Sequence, residues 1–481
     1  MFENLFGFLS PKTKRMVSKE ELAKMLKANP DTIKAFEKAY KEQVLDQEIP
    51  EDFFQFNAKQ VSEIKHSNDD IADVNLEAMI DKIVDEFVSE TPIYRYNRKT
   101  NIQSVVQATG LPDAETCVSL DDIKLLPTEL RPQCTSHLQK RDIYAPSYDI
   151  LLMQWRDSQD PKKPENIRRT SYHMFRQGLD ILDIDPIMYE MIGTNPTSMG
   201  YWFPEIVKGV DGTDFFKIPS TTIIKVPMNI LQLTRTDYSE LTKTTIDIVD
   251  KFCYKVFDLK EYGDYFIKTG TYSSKFDFRN CHVTTPKEVK ELGEYLLFIH
   301  SQACQMAGPL NVDANGKPKS IYGVSTTNEW VVREFIPDED NEPTIYKGLP
   351  LHTEYRAFID FDTDEVLGIY PYWDPDTMEK RFGEGADRNV HDMHDYATYQ
   401  LAKNRLMERF NKNKDLVSSK LEEIIQNINL TGQWSLDIMQ NGDTFWIIDM
   451  AVAETSAFYN KVPVEKRRPI IENWLPDLSN K

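Results

Sequence analysis

The sequence predicts an α+β protein, and three observations carry that expectation. Short β-branched and aromatic runs, among them 215–227, 265–267 and 328–337, read as strands and alternate with segments whose apolar residues recur at helical spacing. Two pairs of runs, 353–360 with 366–372 and 432–439 with 444–450, are joined by short Asp- or Asn-Gly-bearing turns and read as antiparallel hairpins. The chain of 481 residues is 40% hydrophobic and 11% aromatic, enough for a sizeable core. Length alone suggests roughly two to four domains.

Composition narrows the function classes. Asp and Glu outnumber Lys and Arg by 77 to 57, a formal charge of −20, so the chain repels nucleic acid and anionic lipid except where basic residues cluster. Cys117, Cys134, Cys253, Cys281 and Cys304 include no C-x-x-C pair, which points to a reduced, cytoplasmic protein and away from zinc. The first ten residues lack the positive and apolar regions of a signal peptide. No window approaches ~18 uninterrupted apolar residues, so no membrane span is expected.

Residues 1–90 read as a helical N-terminal module. Ser18 to Glu21 is a capping box, and Asn29-Pro30 is an N-cap followed by Pro at the first helical position. Leu22, Met25 and Leu26, then Ile33, Phe36 and Tyr40, give two short amphipathic helices. Their lysines are interleaved with glutamates, so no basic face for DNA emerges and a docking or structural module is expected. The acidic stretch 46–73 reads as a linker. Leu76, Met79, Ile80, Ile83, Val84, Phe87 and Val88 then mark one clear amphipathic helix.

Residues 91–215 read as mixed α/β, with a buried strand at 150–153 and a helix from Pro164 through Leu179. The stretch 195–204 is turn-rich, and its cluster of Tyr201, Trp202 and Phe203 reads as a plug between domains. Residues 216–327 read strand-helix-strand-loop-helix. The first strand ends on Lys225 and the second, Tyr265 to Ile267, on Lys268. A loop with Gly270, Ser273 and Ser274 follows and closes on Lys275. Small hydroxyl residues around a glycine leave backbone N–H groups for an anion, and two lysines add charge, so the loop reads as a phosphate cradle or as a surface hairpin.

Residues 328–481 begin with a strand stopped by Pro337, running into Asp338, Glu339 and Asp340. The first hairpin carries Glu354 and Arg356; a helix over 414–428 separates it from the second. That second hairpin places Asp437 and Asp449 on adjacent strands among Trp, Ile and Met. Carboxylates so placed need partners: either a shared Mg2+, which takes hard oxygen ligands, or a nearby Lys or Arg for each. His391 and His394 sit three apart on a polar helix and read as solvent-facing.

The order of these features resembles the ATP-grasp superfamily, in which two α/β subdomains sandwich ATP; here an N-terminal helical extension precedes them. The stretches 201–204, 266–268, 331–333, 354–356, 436–438 and 446–449 are most similar to the eukaryotic ATP-grasp family that chaperones assembly of translation initiation factor two. The resemblance makes 216–327 the lid subdomain and 328–481 the metal and catalytic subdomain. It implies Lys225 and Lys268 on the α- and β-phosphates, with Ser273, Ser274 and Lys275 closing over them. The backbone of Glu334, Phe335 and Ile336 would hold the adenine edge, with Asp338 or Glu339 on the ribose. Arg356 would neutralise the terminal phosphate, acting with Lys268 in catalysis, and Asp437 with Asp449 would hold Mg2+. One departure is Ala451, where the family's Asp-x-Asn has its amide, which implies one metal rather than two or a substitute in Glu454. Two function classes follow: an ATP-dependent ligase that activates a carboxylate as an acyl-phosphate for attack by an amine, or an ATP-dependent assembly chaperone that binds a protein partner without turnover. A degenerate fold with no nucleotide is a third.

Overall fold

The computed structural model of the chain describes residues 73–106, 195–234, 243–307, 327–383 and 390–468, with short pieces between these. The helices expected before residue 73, the strand at 150–153 and most of the helix from 164, as well as Cys117 and Cys134, lie outside the described residues. The stripe at 76–88 forms helix α1 (Asp73–Ser89), which buries Ile80, Val84 and Phe87. It leads into a hairpin of β1 (Ile93–Asn97) and β2 (Ile102–Val106).

The aromatic stretch 195–204 is less turn-like than its sequence suggests. Only its start turns; the rest begins helix α2 (Met199–Val210), with Pro204 inside it. Tyr201 stacks on Trp434 at 6.1 Å, while Phe203 meets Tyr94 and Tyr96 edge-on at 6.0 and 6.2 Å. The cluster therefore does join two layers, and burial of these rings outweighs the turn propensity around them.

Next come β3 (Phe216–Lys217), β4 (Thr221–Lys225), α3 (Met228–Leu233), α4 (Lys243–Val256) and β5 (Tyr265–Thr269). After β6 (His282–Val283), the helix expected from Pro286 is split into α5 (Pro286–Lys290) and α6 (Leu292–Ala307). Thr285 caps α5 through a capping box with Glu288. The split falls where α4 and α6 approach closely: a Cβ on Gly293 would lie 2.7 Å from the Val249 backbone, and Asp250 accepts the Glu294 N–H at 2.8 Å.

Strand β7 (Glu329–Glu334) is followed by two short strands, β8 (Thr344–Ile345) and β9 (Leu349–Pro350), and by the hairpin of β10 (Thr353–Asp360) and β11 (Glu365–Pro371). After α7 (Pro375–Phe382), the helix expected at 414–428 is much longer, α8 (Val390–Ile425), 36 residues. Its buried positions Tyr399, Ala402, Leu406, Phe410, Val417, Leu421 and Ile424 keep helical spacing throughout, but charged residues between them dilute the stripe. Strands β12 (Gln433–Asn441) and β13 (Thr444–Val452) close the chain's second hairpin, turned at Gly442 with φ +58°.

Two sheets result. The first has the order β2-β1-β4-β7-β5-β6, antiparallel throughout. The second has the order β11-β10-β12-β13-β3, with only the β13–β3 pair parallel. Mixed α/β architecture is thus what the sequence led one to expect. Helices α4 and α6 pack on each other beside the first sheet, and α8 lies along β10 and β11. A common apolar cluster runs from α1 through both sheets to α8.

Candidate functional site

The sheets face each other across a cleft. From the first sheet, β5 contributes Phe266 and Lys268, and β7 contributes Arg333 and Glu334. From the second, β10 contributes Glu354, β12 Asp437 and Met439, and β13 Ile448 and Asp449. The pairs 266/268 and 437/439 share a face because side chains alternate along a strand. The neighbours Ile448 and Asp449 both reach the cleft because the ladder shifts register there: Asp437 pairs with Asp449, but Ile438 pairs with Ile447. The bulge brings Asp449 to the cleft, where it meets Lys268 of the opposite sheet.

Each aspartate has a cation of its own. Arg356 Nε and Nη2 donate to the two oxygens of Asp437 at 2.8 and 2.7 Å, and Lys268 Nζ donates to Asp449 Oδ1 at 2.8 Å. Of the two partners the sequence left open for these carboxylates, the chain's own side chains supply the basic one. The Arg356–Asp437 pair is buried; Lys268 is buried while Asp449 is 45% exposed. Partial burial works to raise the Asp449 carboxyl, but Lys268, Lys275 and Arg333 outweigh it and hold it below the usual carboxylate range.

Lys275 lies 4.5 Å over the Tyr372 ring, and the Arg356 guanidinium lies 4.7 Å from the same ring. Burial disfavours the charged lysine, but Tyr372, Glu354 and Asp437 overcome this and keep it protonated. Burial pushes the Glu354 carboxyl up to about 7; Lys275 and Arg356 pull against that, while Asp437 adds to it. Burial also lowers the pKa of the His352 imidazole and that of the Arg333 guanidinium, the latter to about 10. Arg333 ties the two sheets together, with its Nε on Thr221 Oγ1 at 3.1 Å and its Nη1 on the Ile448 carbonyl.

The residues expected from the sequence divide. Lys268, Ser273, Lys275, Glu334, Phe335, Ile336, Asp437 and Asp449 come together around the cleft. Lys225 does not line it: it is exposed at the end of β4, opposite Glu329. Ser274 turns away, with a left-handed φ of 57°; its hydroxyl donates to Gln302 and accepts from Asn280 Nδ2 at 3.0 Å. Asp338 is occupied by its own turn, where its two oxygens accept the N–H groups of Asp340 and Glu342 at 2.9 and 2.6 Å. Arg356 stands behind Asp437 rather than on the cleft wall.

The cradle expected of the 269–275 loop is also modified. The N–H groups of Thr269, Gly270, Thr271 and Tyr272 are bonded within the fold, to the Tyr272 and Glu329 carbonyls and to Thr269 Oγ1. Any anion would meet Ser273, Lys275 and Lys268 rather than that run of amides. Along the expected adenine edge, the N–H groups of Glu334 and Phe335 bond to the Ser220 and Asp264 carbonyls. Phe335 stacks on His282 at 3.9 Å, and the Glu334 side chain pairs with Arg98 at 2.8 Å.

Sequence reasoning assigned no role to Arg333, His352 or Glu354. A signal was present for Glu354: it lies two residues before Arg356, and so on the same face of one strand. Asp340, Glu342 and His352 also converge, with ligand atoms within 4.8 Å of one another. The two carboxylates are, however, neutralised by guanidinium groups, Asp340 by Arg409 at 2.6 Å and Glu342 by Arg405. His394, three residues from His391, is exposed as expected, while the His391 side chain lies outside the described residues.

The donor set fits a magnesium–phosphate group in kind. Two opposed carboxylates offer hard oxygens, and Lys268, Lys275 and Arg333 offer positive charge beside them. Phe266, Phe335, Ile336 and Met439 give the rest of the cleft an apolar surface of the sort that takes a flat organic group. Ala451 pairs with Ser435 across the hairpin and offers no side-chain ligand. Among the described residues no helix is long and apolar enough to cross a membrane.

No protein-family model matches the sequence, and no curated protein matches it. Among solved structures, Cdc123 from Schizosaccharomyces pombe is similar in two forms, one of them C-terminally truncated. In each the TM-score is 0.32 at 16% identity, over 57% of this chain and 93% of that one. A likeness of that size assigns neither family nor activity.

Proposed function

We propose that the cleft binds ATP with Mg2+, and that the protein uses this binding to hold a protein partner rather than to turn over a carboxylate. The observation that carries the nucleotide reading is the convergence of Lys268, Lys275 and Arg333 with Asp437 and Asp449 on one cleft that also carries Phe266, Phe335, Ile336 and Met439. Bound Mg2+ would neutralise phosphate charge between the two aspartates. Lys268 and Lys275 would hold phosphate oxygens, Arg356 would keep Asp437 ionised and oriented, and those apolar residues would exclude water from the base.

Two features favour binding over phosphoryl transfer. Asp437 and Asp449 are already engaged by Arg356 and Lys268, and Ala451 supplies no further ligand where the ATP-grasp pattern has an amide. The ligase reading, which the resemblance put first, needs tight neutralisation around a transferring group and draws no support from this geometry. The sequence resemblance to the initiation-factor assembly family supports a protein partner. Calorimetry with ATP and Mg2+ tests the nucleotide reading: the wild-type chain should bind, and Lys268→Ala should weaken binding by about 1.5–3 kcal/mol, the worth of a charge-assisted contact. Equal affinity in the variant removes Lys268 from the phosphate site. Sustained ADP release with any carboxylate and amine pair would restore the ligase reading.

A further inference from the structure

A buried carboxylate stands beside Lys268, off the cleft wall. Glu329, the first residue of β7, is 5% exposed and does not line the cleft. In the ladder between β5 and β7, Lys268 is opposite Val331, so Glu329 lies two residues along on the same face. Diagonal neighbours of this kind are ~7 Å apart, within reach of a lysine side chain. On its other flank, in β4, Glu329 is opposite Lys225. Burial pushes the Glu329 carboxyl up, and the Gly200 N–H, Lys225 and Lys268 all pull it down.

The carboxylate is fixed in place. Its Oε2 accepts the Gly200 N–H of α2 at 2.8 Å, and a Cβ on Gly270 would come within 2.9 Å of the same oxygen. Around it, the Met199 N–H donates to the Gly270 carbonyl at 3.0 Å, and Ser198 Oγ lies 2.7 Å from Thr327 Oγ1. Holding the start of α2 asks Glu329 only for an acceptor, which an uncharged side chain supplies as well. The group that has a use for its charge is Lys268. In the nucleotide reading, Asp449 turns to Mg2+ and Lys268 to phosphate, so the 2.8 Å bond between them opens. Lys268 is buried, and a second anion that does not move keeps it charged and aimed while it changes partner.

We propose that Glu329 is a positioning residue of the cleft, its fixed carboxylate holding Lys268 in place while Asp449 is released to the metal. The inference rests on the nucleotide reading above. Glu329 acts through Lys268 and itself touches neither metal nor nucleotide.

Calorimetry on the full chain tests it, with ATP titrated at fixed Mg2+ and Mg2+ titrated at fixed ATP, on wild type and Glu329→Gln. Gln keeps an acceptor for the Gly200 N–H and removes only the charge. The variant should bind ATP roughly 10- to 50-fold more weakly, the size of a charge interaction over ~7 Å in a protein. It should also need more Mg2+ for half-maximal binding, because Lys268 without Glu329 holds on to Asp449. In a Lys268→Ala background the same change should alter ATP affinity by less than about twofold, since the group it acts through is gone. Where Glu329→Gln does not fold, Glu329→Met removes the charge at similar volume and is read by the same comparisons. Unchanged ATP affinity, an unchanged Mg2+ midpoint, or an equal loss with and without Lys268 overturns the positioning role and leaves nucleotide binding in place. Wild-type protein that does not bind ATP overturns both.

Discussion

At the scale of residues, burial decides how much each ion pair of the cleft is worth. Asp437 and Arg356 are both largely out of water, so Asp437→Asn strands a buried guanidinium, and a loss of about 3–5 kcal/mol is expected in the ligand-free protein. Asp449 is half-exposed, and Lys268 keeps Glu329 nearby, so Asp449→Asn should cost less, about 1–2 kcal/mol. Denaturant melts of the two variants check the order; an Asp449→Asn protein as stable as wild type would mean the Lys268 pair is not formed in solution. Glu354 gives a pH test. Its folded pKa of about 7 stands above the ordinary 4.5, so folding takes up a proton between those values and stability falls as pH rises through that window. Glu354→Gln removes that loss: it should exceed wild type by on the order of 2 kcal/mol at pH 8, and the gap should close by pH 4.5. A gap independent of pH would show that the carboxyl does not titrate there.

At the scale of elements, α1 shows how a helix can be legible while its attachment is not. Its apolar stripe reads from sequence as the core-packing face of an amphipathic helix at the end of a separate N-terminal module. In the fold, Phe87 meets Phe252 edge-on at 6.4 Å, and Asp81 and Asp85 pair with Lys251 and Lys255 of α4 at 3.1 and 2.7 Å. The exposed pairs add little; the buried stripe carries the contact. A chain beginning at residue 91 should therefore melt well below one beginning at residue 73, and Phe87→Ala alone should cost about 3 kcal/mol in the full chain. Circular-dichroism melts of the truncations decide this, and equal melting points would detach α1 from the core.

At the scale of the molecule, contacts across the cleft join the two sheets before any ligand arrives. Lys268 reaches from β5 to Asp449, and Arg333 from β7 to the Ile448 carbonyl. The loop after β5 docks on the far side as well, with Phe276 edge-on to Tyr346 at 5.5 Å and Asp277 paired with Lys347 at 2.7 Å. A ligand that needs both walls stabilises the whole molecule, by about 2.7 kcal/mol at a hundredfold excess over its Kd. ATP·Mg2+ should raise the melting temperature of wild type, and Lys275→Ala on one wall or Asp437→Asn on the other should each abolish the rise. A shift that survives either change would place the nucleotide on one sheet alone.

The sequence by itself determined strands β4, β5 and β7, the hairpins β10–β11 and β12–β13 and the face on which most cleft residues lie, though not the hairpin of β1 and β2. Period-two alternation and turn residues are local, and a local pattern needs no partner to be read. Asp437 and Asp449 could be set side by side for that reason, across one short turn. The tertiary structure alone decided what those aspartates touch: Arg356 comes from a strand 81 residues away in sequence, and Lys268 from the opposite sheet, 181 residues away. It also decided that Ser274 spends its hydroxyl on Gln302 of α6 and on Asn280, that Asp338 spends its oxygens inside its own turn, and that Lys225 ends in solvent. Which polar atom is left without a partner, as Glu354 Oε2 is, depends on every neighbour at once, and no local pattern contains that sum.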